Sequence, residues 1–368
     1  MSRALARSAA VPEPVLVIGA GMVGASVGCA LTEAGFTVHL EDAAPAHARV
    51  AASLGAGSAE PVDPATVGLV VVAVPPRPLA GVVAAALRRF PTARVTDVGS
   101  VKSRPLQELQ AAGVDLARYV GSHPMAGSHR AGPVAADPFL FLDRTWVLCE
   151  HPDAAPETVR AVEALVRACR ARLVRMDPHE HDAAVARVSH LPHLVAGLVA
   201  GSLTEVPLEQ LALAGQGVRD VTRIAGGDPR LWEQIITMNA DVLAGELAAL
   251  QHRFDRLRTA LDEAGDGEAG SLAAWLEEGR AGTRRIPGKH GGAHVEWARL
   301  VVEIPDAPNA LGRLFTDIGD AGLNVEDITI EHDPTRRVGY LSLDVEAEVR
   351  PTVVALLTEA GWTVETAD

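Results

Sequence analysis

Over the first 175 or so residues, short unbroken apolar runs alternate with alanine-rich stretches of helical period. The runs are "VLVIG", "FTVHLE", "GLVVVAVP", "ARVTDVG" and "TWVLCE". Strands this uniformly apolar are covered on both faces, and the spacers between them are long enough to cross over. The segment therefore predicts parallel strands joined by helices. From residue 178 to about 262 the period becomes helical throughout and strand signals stop. Within it Leu243, Leu247, Leu250, Phe254, Leu257 and Leu261 step by four and three. Such a stripe needs another helix over it, from the same chain or from a second subunit. Residues 263–296 hold "DEAGDGEAG" and "RIPGKHGGAH" and read as connector. Beyond them "ARLVVEIPD", "NALGRLFTDIGDAG", "NVEDITIEH", "RVGYLSLDVEAEV", "RPTVVALLTEAG" and "WTVETA" predict the order βαββαβ, that of a small ferredoxin-like α+β domain.

Composition narrows the range of partners. A chain of 368 residues with 48% hydrophobic content and mean hydropathy +0.14 is long and apolar enough for two or three cores. No apolar run approaches the ~20 residues of a membrane helix. The opening "MSRALARSAAVPEP" has two arginines but no apolar core, so a loose leader on a cytoplasmic protein is expected. Acidic residues outnumber basic ones by 47 to 33, a net charge of −14, which argues against nucleic acid or an anionic membrane as partner. An anionic small molecule would need cationic groups gathered locally. Cys29, Cys149 and Cys169 are odd in number and lack metal-ligand spacing, so reduced structural thiols and no metal site are expected.

The most specific local pattern is "VLVIGAGMVGASVGCALTEAGFTVHLED". Gly19, Gly21 and Gly24 make G-x-G-x-x-G directly after a strand and at the opening of a helix, with Met22 and Val23 inside the turn. The first glycine permits the tight turn, the second lets backbone approach a pyrophosphate, and the third lets helix and strand pack closely. An acidic residue about twenty positions on completes the pattern. It is Glu41 or Asp42, with Asp42 favoured. A carboxylate there accepts from ribose hydroxyls and repels a 2′-phosphate, so NAD is expected over NADP. Val74 and Pro75, in "VAVPP", either contact the cofactor or only end the strand.

Two further segments follow strands. "TDVGSVKS" carries Ser100 and Lys102, and "YVGSHPMAGSHRAGP" carries His123 between glycine and proline, in a stretch too irregular to predict as anything but loop. In a doubly wound sheet both lie on the ligand edge. A histidine there is either solvated or, beside a nicotinamide, the base that takes a hydroxyl proton as hydride leaves the same carbon. Ser100 would orient that imidazole or share the hydroxyl hydrogen bond. In "RVSHLPHLVAG" Ser189 and His193 are four apart on one helical face, and Pro192 either aims them into a cleft or only kinks the helix. In "GVRDVTRIAGGDPRLW" Arg223 either forks onto a carboxylate or pairs with Asp220, while Trp232 reads as core.

Taken in order, "GAGMVGASVGCAL", "DVGSVKS", "GSHPMAGS", "SHLPH", "RDVTRIAGGDPRLW" and "MNADVL", over about residues 15–260, resemble the prephenate dehydrogenase family of tyrosine biosynthesis. The C-terminal "EIPDAPNALGRLFTDIGDAGLNVEDITIE" resembles an ACT domain, an amino-acid-sensing module. The resemblance implies NAD-dependent oxidative decarboxylation of prephenate to 4-hydroxyphenylpyruvate. It implies His123 as the base with Ser100 beside it, Ser189 and His193 on the substrate side, and Arg223 as the clamp on a dianion. The ACT-like resemblance further implies an effector site at Asp306, Asn309, Ala310, Leu311 and Asn324, with tyrosine as effector unless the module is purely structural, and the leucine stripe leads to the expectation of a homodimer. Two positions depart from the pattern. His129 stands where relatives can carry an acidic residue, and Asn309 where the ACT motif usually has glycine, although asparagine can adopt the left-handed conformation.

The expected layout is a leader at 1–14, a Rossmann-type NAD-binding domain at 15–177, an all-helical substrate and dimerisation domain at 178–285, a linker at 286–296 and an ACT-like domain at 297–368. Three other functions compete with prephenate oxidation. Arogenate dehydrogenase performs the same chemistry on an amino-bearing substrate. A phosphoglycerate-dehydrogenase-like enzyme would insert its dinucleotide fold within the chain, whereas here the glycine motif starts at residue 19. A non-catalytic NAD and amino-acid sensor would need no proton acceptor.

Overall fold

The computed structural model describes residues 11–127, 131–265, 270–286, 297–320, 322, 325, 327–333 and 338–366. They fall into two units, residues 1–259 and 260–368. In the first, β1 (Val15–Ile18), β2 (Val38–Glu41), β3 (Leu69–Val72), β4 (Arg94–Asp97), β5 (Tyr119–Pro124), β6 (Thr145–Cys149) and β7 (Arg172–Met176) form one sheet in the order β2-β1-β3-β4-β5-β6-β7. Because each strand is apolar on both sides, successive residues feed opposite cores. Val15 and Val17 point with Leu31, Leu40 and Trp146 into one, and Leu16 points with Val70, Val83 and Phe90 into the other. The chain leaves β1 for β2 on one side, then crosses to β3 on the other. That reversal is where an open α/β sheet receives its ligand.

Two features correct the expectation of a wholly parallel sheet. β5 and β6 are antiparallel, and β6 and β7 are parallel to each other. Residues 125–144 between β5 and β6 hold only the short 3₁₀ turn Pro133–Ala135 among the described residues, so no crossover helix carries the chain back to the starting edge. β7, "RLVRM", escapes sequence detection because two arginines interrupt it. Both are exposed, as an edge strand allows.

The helical region opens with a single run, Pro178–Glu205. Asp177 and Glu180 form a capping box at its start. The run comprises α-helix Pro178–Val185, a π-helical segment Ala186–His190, and α-helix Leu191–Ser202. Pro192 thus falls in the first turn after a widened one, where its missing N–H and its ring are accommodated without a break. At 28 residues, with mean hydropathy 1.3 over its most apolar window, this run meets the length and composition of a membrane span, contrary to the sequence reading. It nonetheless carries the polar side chains that bond to the sheet, described below. Helices Gln216–Ile224, Pro229–Met238 and Ala240–Gly265 follow. Of the leucine stripe, Leu243 is buried, but Leu247 and Phe254 are 40% and 47% exposed. Part of the predicted "connector" is also helix, Ser271–Thr283. Its "SLAAWLEE" is rich in helix formers, although glycines surround it.

In the second unit β8 (Trp297–Pro305), β9 (Asp327–Asp333), β10 (Val338–Glu346) and β11 (Thr363–Thr366) make an antiparallel sheet in the order β11-β8-β10-β9, with helices Ala310–Asp320 and Arg350–Glu359. Leu300, Val302 and Ile304, at alternate positions of β8, pack on Leu314, Ile318, Val353 and Leu357 from the two helices. Asn309 takes the left-handed conformation, φ +65°. Asp306, Asn309, Ala310 and Leu311 line a cavity of about 150 Å³ with Ile304 and Gly339. Asn324 and His129 lie outside the described residues.

Candidate active site

The turn after β1 has the shape its glycines predict. Gly19 sits at φ +103°, and a Cβ there would be 2.3 Å from the Ala73 carbonyl oxygen; a Cβ on Gly24 would be 1.9 Å from the Gly19 oxygen. Gly21 has nothing within 4 Å of its would-be Cβ. It also caps helix Met22–Glu33 without any side-chain bond, and no acidic residue occupies the first turn. The amides of Met22, Val23 and Gly24 are therefore open to an anion at a helix N-terminus, which is what a dinucleotide pyrophosphate requires. Val74 lies against the same turn, 3.2 Å from where a Gly19 Cβ would be, and Pro75 follows it exposed. β3 itself ends at Val72, two residues short of the "VAVPP" reading.

The two candidate carboxylates separate cleanly. Glu41 is gripped by the Arg89 guanidinium at 2.7 and 2.8 Å. Asp42 instead bonds the glycine turn, accepting from the Ala20 N–H at 2.7 Å and from the Ala44 N–H at 2.8 Å. Of the pair, Asp42 is the one bonded to that turn.

His123 is not in a loop, as the sequence suggested, but is the fifth residue of β5. β4 pairs with β5 only as far as Gly121, whereas β6 pairs antiparallel with Gly121 through Pro124, His123 facing Val147. The histidine thus overhangs the carboxyl end of β4, held by the partner on its other side. Alternation turns its neighbour inward: buried Ser122 donates to the Asp97 carbonyl at 2.8 Å and accepts from Trp146 Nε1 at 3.0 Å. Beneath lies a buried cluster. Lys102 Nζ is paired with Asp97 and donates to the Ser122 carbonyl at 2.8 Å, while Tyr119 donates to Asp97 at 2.7 Å.

From the helical run, His181 Nε2 lies 2.9 Å from His123 Nδ1, and His181 Nδ1 lies 2.8 Å from Asp182 Oδ1. Asp182 also accepts from the Lys102 N–H at 2.9 Å and the Ser103 N–H at 2.8 Å, in the loop that carries Ser100. Asn239 donates to the Asp182 carbonyl at 2.9 Å and lies 3.2 Å from His190 Nδ1. His193 stacks on the half-buried Trp232 with ring centroids 3.6 Å apart. Gly227 fits under that stack, since a Cβ there would be 2.4 Å from Trp232 Nε1. Gly227 follows the helix Gln216–Ile224 that carries Arg223. Arg223 is exposed; Asp220 takes Gln216 at 2.9 Å, and Arg223 makes no ion pair among the described residues. Ser189 is half-buried in the π-helical segment. Among the described residues no hydrogen bond joins Ser100, Ser189 or Arg223 to His123.

Burial sets the charge states. It holds His123 well below the ordinary histidine value, reinforced by His181, Lys102 and His190. It takes His190 down to about 4 despite the pull of Asp182. For Asp182 burial acts upward, but hydrogen bonds from His181, Lys102 and Ser103 outweigh it and leave the carboxyl below its usual range. At neutral pH His123 is therefore uncharged and Asp182 ionised. Sequence reading missed His181, Asp182 and Asn239. The available signal was a His-Asp pair and capping residues at the head of an otherwise apolar helix. The three cysteines are buried and free, and burial pushes the Cys149 thiol up to about 12.

An open glycine turn at the carboxyl end of β1, with an uncharged imidazole overhanging the sheet's carboxyl edge at β5, defines a nicotinamide-dependent oxidoreductase. The family description "Prephenate dehydrogenase, nucleotide-binding domain" matches residues 27–175, and "Prephenate dehydrogenase, dimerization domain" matches residues 177–278. A Streptomyces niveus protein named "probable prephenate dehydrogenase NovF" is 36% identical over 355 residues, 94% of this chain and 98% of that one. The chain belongs to the prephenate dehydrogenase family, and its cofactor is NAD. Two solved structures share the fold. Prephenate dehydrogenase from A. aeolicus, in complex with hydroxyphenyl propionate and NAD+, is 24% identical with TM-score 0.66, over 73% of this chain and 96% of that one. Synechocystis arogenate dehydrogenase is 25% identical with TM-score 0.61, over 73% and 98%.

Proposed function

We propose that the protein catalyses the NAD-dependent oxidative decarboxylation of prephenate to 4-hydroxyphenylpyruvate in tyrosine biosynthesis. The observation that carries this reading is His123 at the sheet's carboxyl edge, hydrogen-bonded to the buried His181, in a chain of this family. NAD, when bound, supplies the two-electron acceptor. His123 takes the proton of the ring hydroxyl, and Ser100 shares that hydrogen bond. Ser189 and His193 contact the ring side of the substrate, and Arg223 holds a carboxylate. Carbon dioxide departs as the ring becomes aromatic, so positioning and removal of one proton are the enzyme's main tasks. The test is a spectrophotometric assay for NADH with prephenate and with arogenate, each with and without tyrosine. Rapid turnover of prephenate is expected. Preference for arogenate would support the alternative favoured by the likeness to the Synechocystis enzyme.

The cofactor assignment carries its own prediction. Met22, Val23, Val74 and Pro75 line the nucleotide turn in this reading, and Asp42 receives the ribose hydroxyls. Asp42→Ser is expected to raise the KM for NAD and lower that for NADP, each by about tenfold, because a carboxylate that repels the 2′-phosphate is gone. Parallel titrations with both cofactors read the change.

The C-terminal unit is proposed to be an ACT-like domain that binds tyrosine in the cavity at Asp306, Asn309, Ala310 and Leu311. Its βαββαβ order and the left-handed Asn309 support this. The exposed side of the leucine stripe supports a homodimer built on the helical region. The layout proposed is that of a cytoplasmic enzyme with a nucleotide domain at 15–177, a helical domain at 178–285 and a regulatory domain at 297–368.

A further inference from the structure

Behind His123 stands a hydrogen-bonded pair that the proposed reaction does not yet use. His181 and Asp182 are both buried, at 0% and 2% exposure. They connect to the imidazole in series, His123 Nδ1 to His181 Nε2 at 2.9 Å and His181 Nδ1 to Asp182 Oδ1 at 2.8 Å. Asp182 is clamped independently by the Lys102 and Ser103 amides, so its orientation does not depend on the histidines.

Donor and acceptor roles follow from the chemistry of each group. A carboxylate only accepts, so His181 must carry its proton on Nδ1. When the two imidazoles hold one ring proton each, the form able to act as a base, His181 Nε2 is then bare and can only accept. His123 must in turn donate from Nδ1, which leaves its Nε2 bare. We infer that His181 and Asp182 are positioning residues for the oxidation: Asp182 fixes the tautomers of two imidazoles in series and so keeps His123 Nε2 free to take the hydroxyl proton. The inference rests on the reading of His123 as base. The O–H bond of the substrate breaks, the proton goes to His123 Nε2, and the positive charge that results is shared across the His123–His181 bond and stabilised by the Asp182 carboxylate. The logic is that of an aspartate orienting a histidine in a hydrolytic triad, with one imidazole more. The other titratable groups around the pair are Lys102 and Asp97 behind it, Tyr119 on β5 and His190 on the helical run.

Asp182→Asn puts an amide NH₂ where only acceptors fit. With the NH₂ in the place of Oδ2 it loses the Ser103 bond; with the NH₂ in the place of Oδ1 it loses the Lys102 bond and donates to His181 Nδ1, which reverses both tautomers and protonates His123 Nε2. We expect kcat to fall by at least about 10²-fold with the KM values for prephenate and NAD within about threefold. The acid limb of the kcat profile should move to lower pH, because a cation that loses its counter-charge sheds its proton more readily. Since Asp182→Asn also disturbs the loop at Ser103, a second pair decides if that variant does not fold. His181→Gln can still accept from His123 and donate to Asp182, whereas His181→Phe can do neither, so the Gln variant should retain at least about tenfold more kcat at equal melting temperature. Wild-type kcat and an unmoved pH limb in His181→Phe, or equal losses in the Gln and Phe variants, would overturn the inference. Turnover retained in His123→Asn would instead remove the base assignment itself, and this inference with it, so the two failures are distinguishable.

Discussion

Replacement of His123 by asparagine is expected to lower kcat by about 10³-fold while NAD binds within about twofold of the wild-type affinity. Asparagine keeps a polar group of similar reach but has no basic lone pair, and residue 123 is remote in the sheet from the glycine turn, with β3 and β4 between β1 and β5. Steady-state NADH formation and a fluorescence titration with NAD separate the two effects. The pH dependence carries further information. Burial lowers the His123 value well below 6.5, so the base form prevails at neutral pH. Activity governed by this group should persist as pH falls through the ordinary histidine range and disappear only as pH drops through the lowered value. A limb at or above 6.5 would show that another group titrates. Undiminished turnover in the variant would favour a sensor that needs no proton acceptor.

Replacement of Arg223 by alanine is expected to raise the KM for prephenate by about 10- to 100-fold, the worth of a hydrogen bond to a charged group, with the KM for NAD within about twofold. Arg223 makes no ion pair with any described residue, so its loss should leave no buried charge stranded and the melting temperature should hold. Lysine at this position should recover only part of the affinity, because a point charge lacks the planar fork. Equal increases in both KM values would mean that the guanidinium does not hold the substrate.

What the sequence made legible, and what it hid, has physical reasons. The glycine turn was readable residue by residue because each glycine answers a local steric demand: Gly19 and Gly24 have no room for a Cβ, and Gly21 stands open. The choice of Asp42 over Glu41 was equally local, and Arg89 accounts for Glu41. His123 was singled out as a candidate base but misplaced in structure. Glycine and proline around it suggest a loop, and only its partner β6, more than twenty residues on, makes it strand. The antiparallel return of β6 likewise follows a connection of some twenty residues whose course no periodicity encodes. His181 and Asp182 were invisible for a different reason. A His-Asp pair in the first turn of a helix looks like ordinary capping, and its meaning lies in the amides of Lys102 and Ser103, about eighty positions earlier. Pro192 signalled a bend, but the widened turn at Ala186–His190 absorbs it.

The most direct measurement is the structure of a ternary complex with NAD and 4-hydroxyphenylpyruvate. On the proposed function, His123 Nε2 is expected within hydrogen-bond distance of the phenolic oxygen and the Arg223 guanidinium on the carboxylate of the same molecule, next to the nicotinamide. An imidazole and a guanidinium opening onto separate clefts, with the ligand touching only one of them, would contradict it.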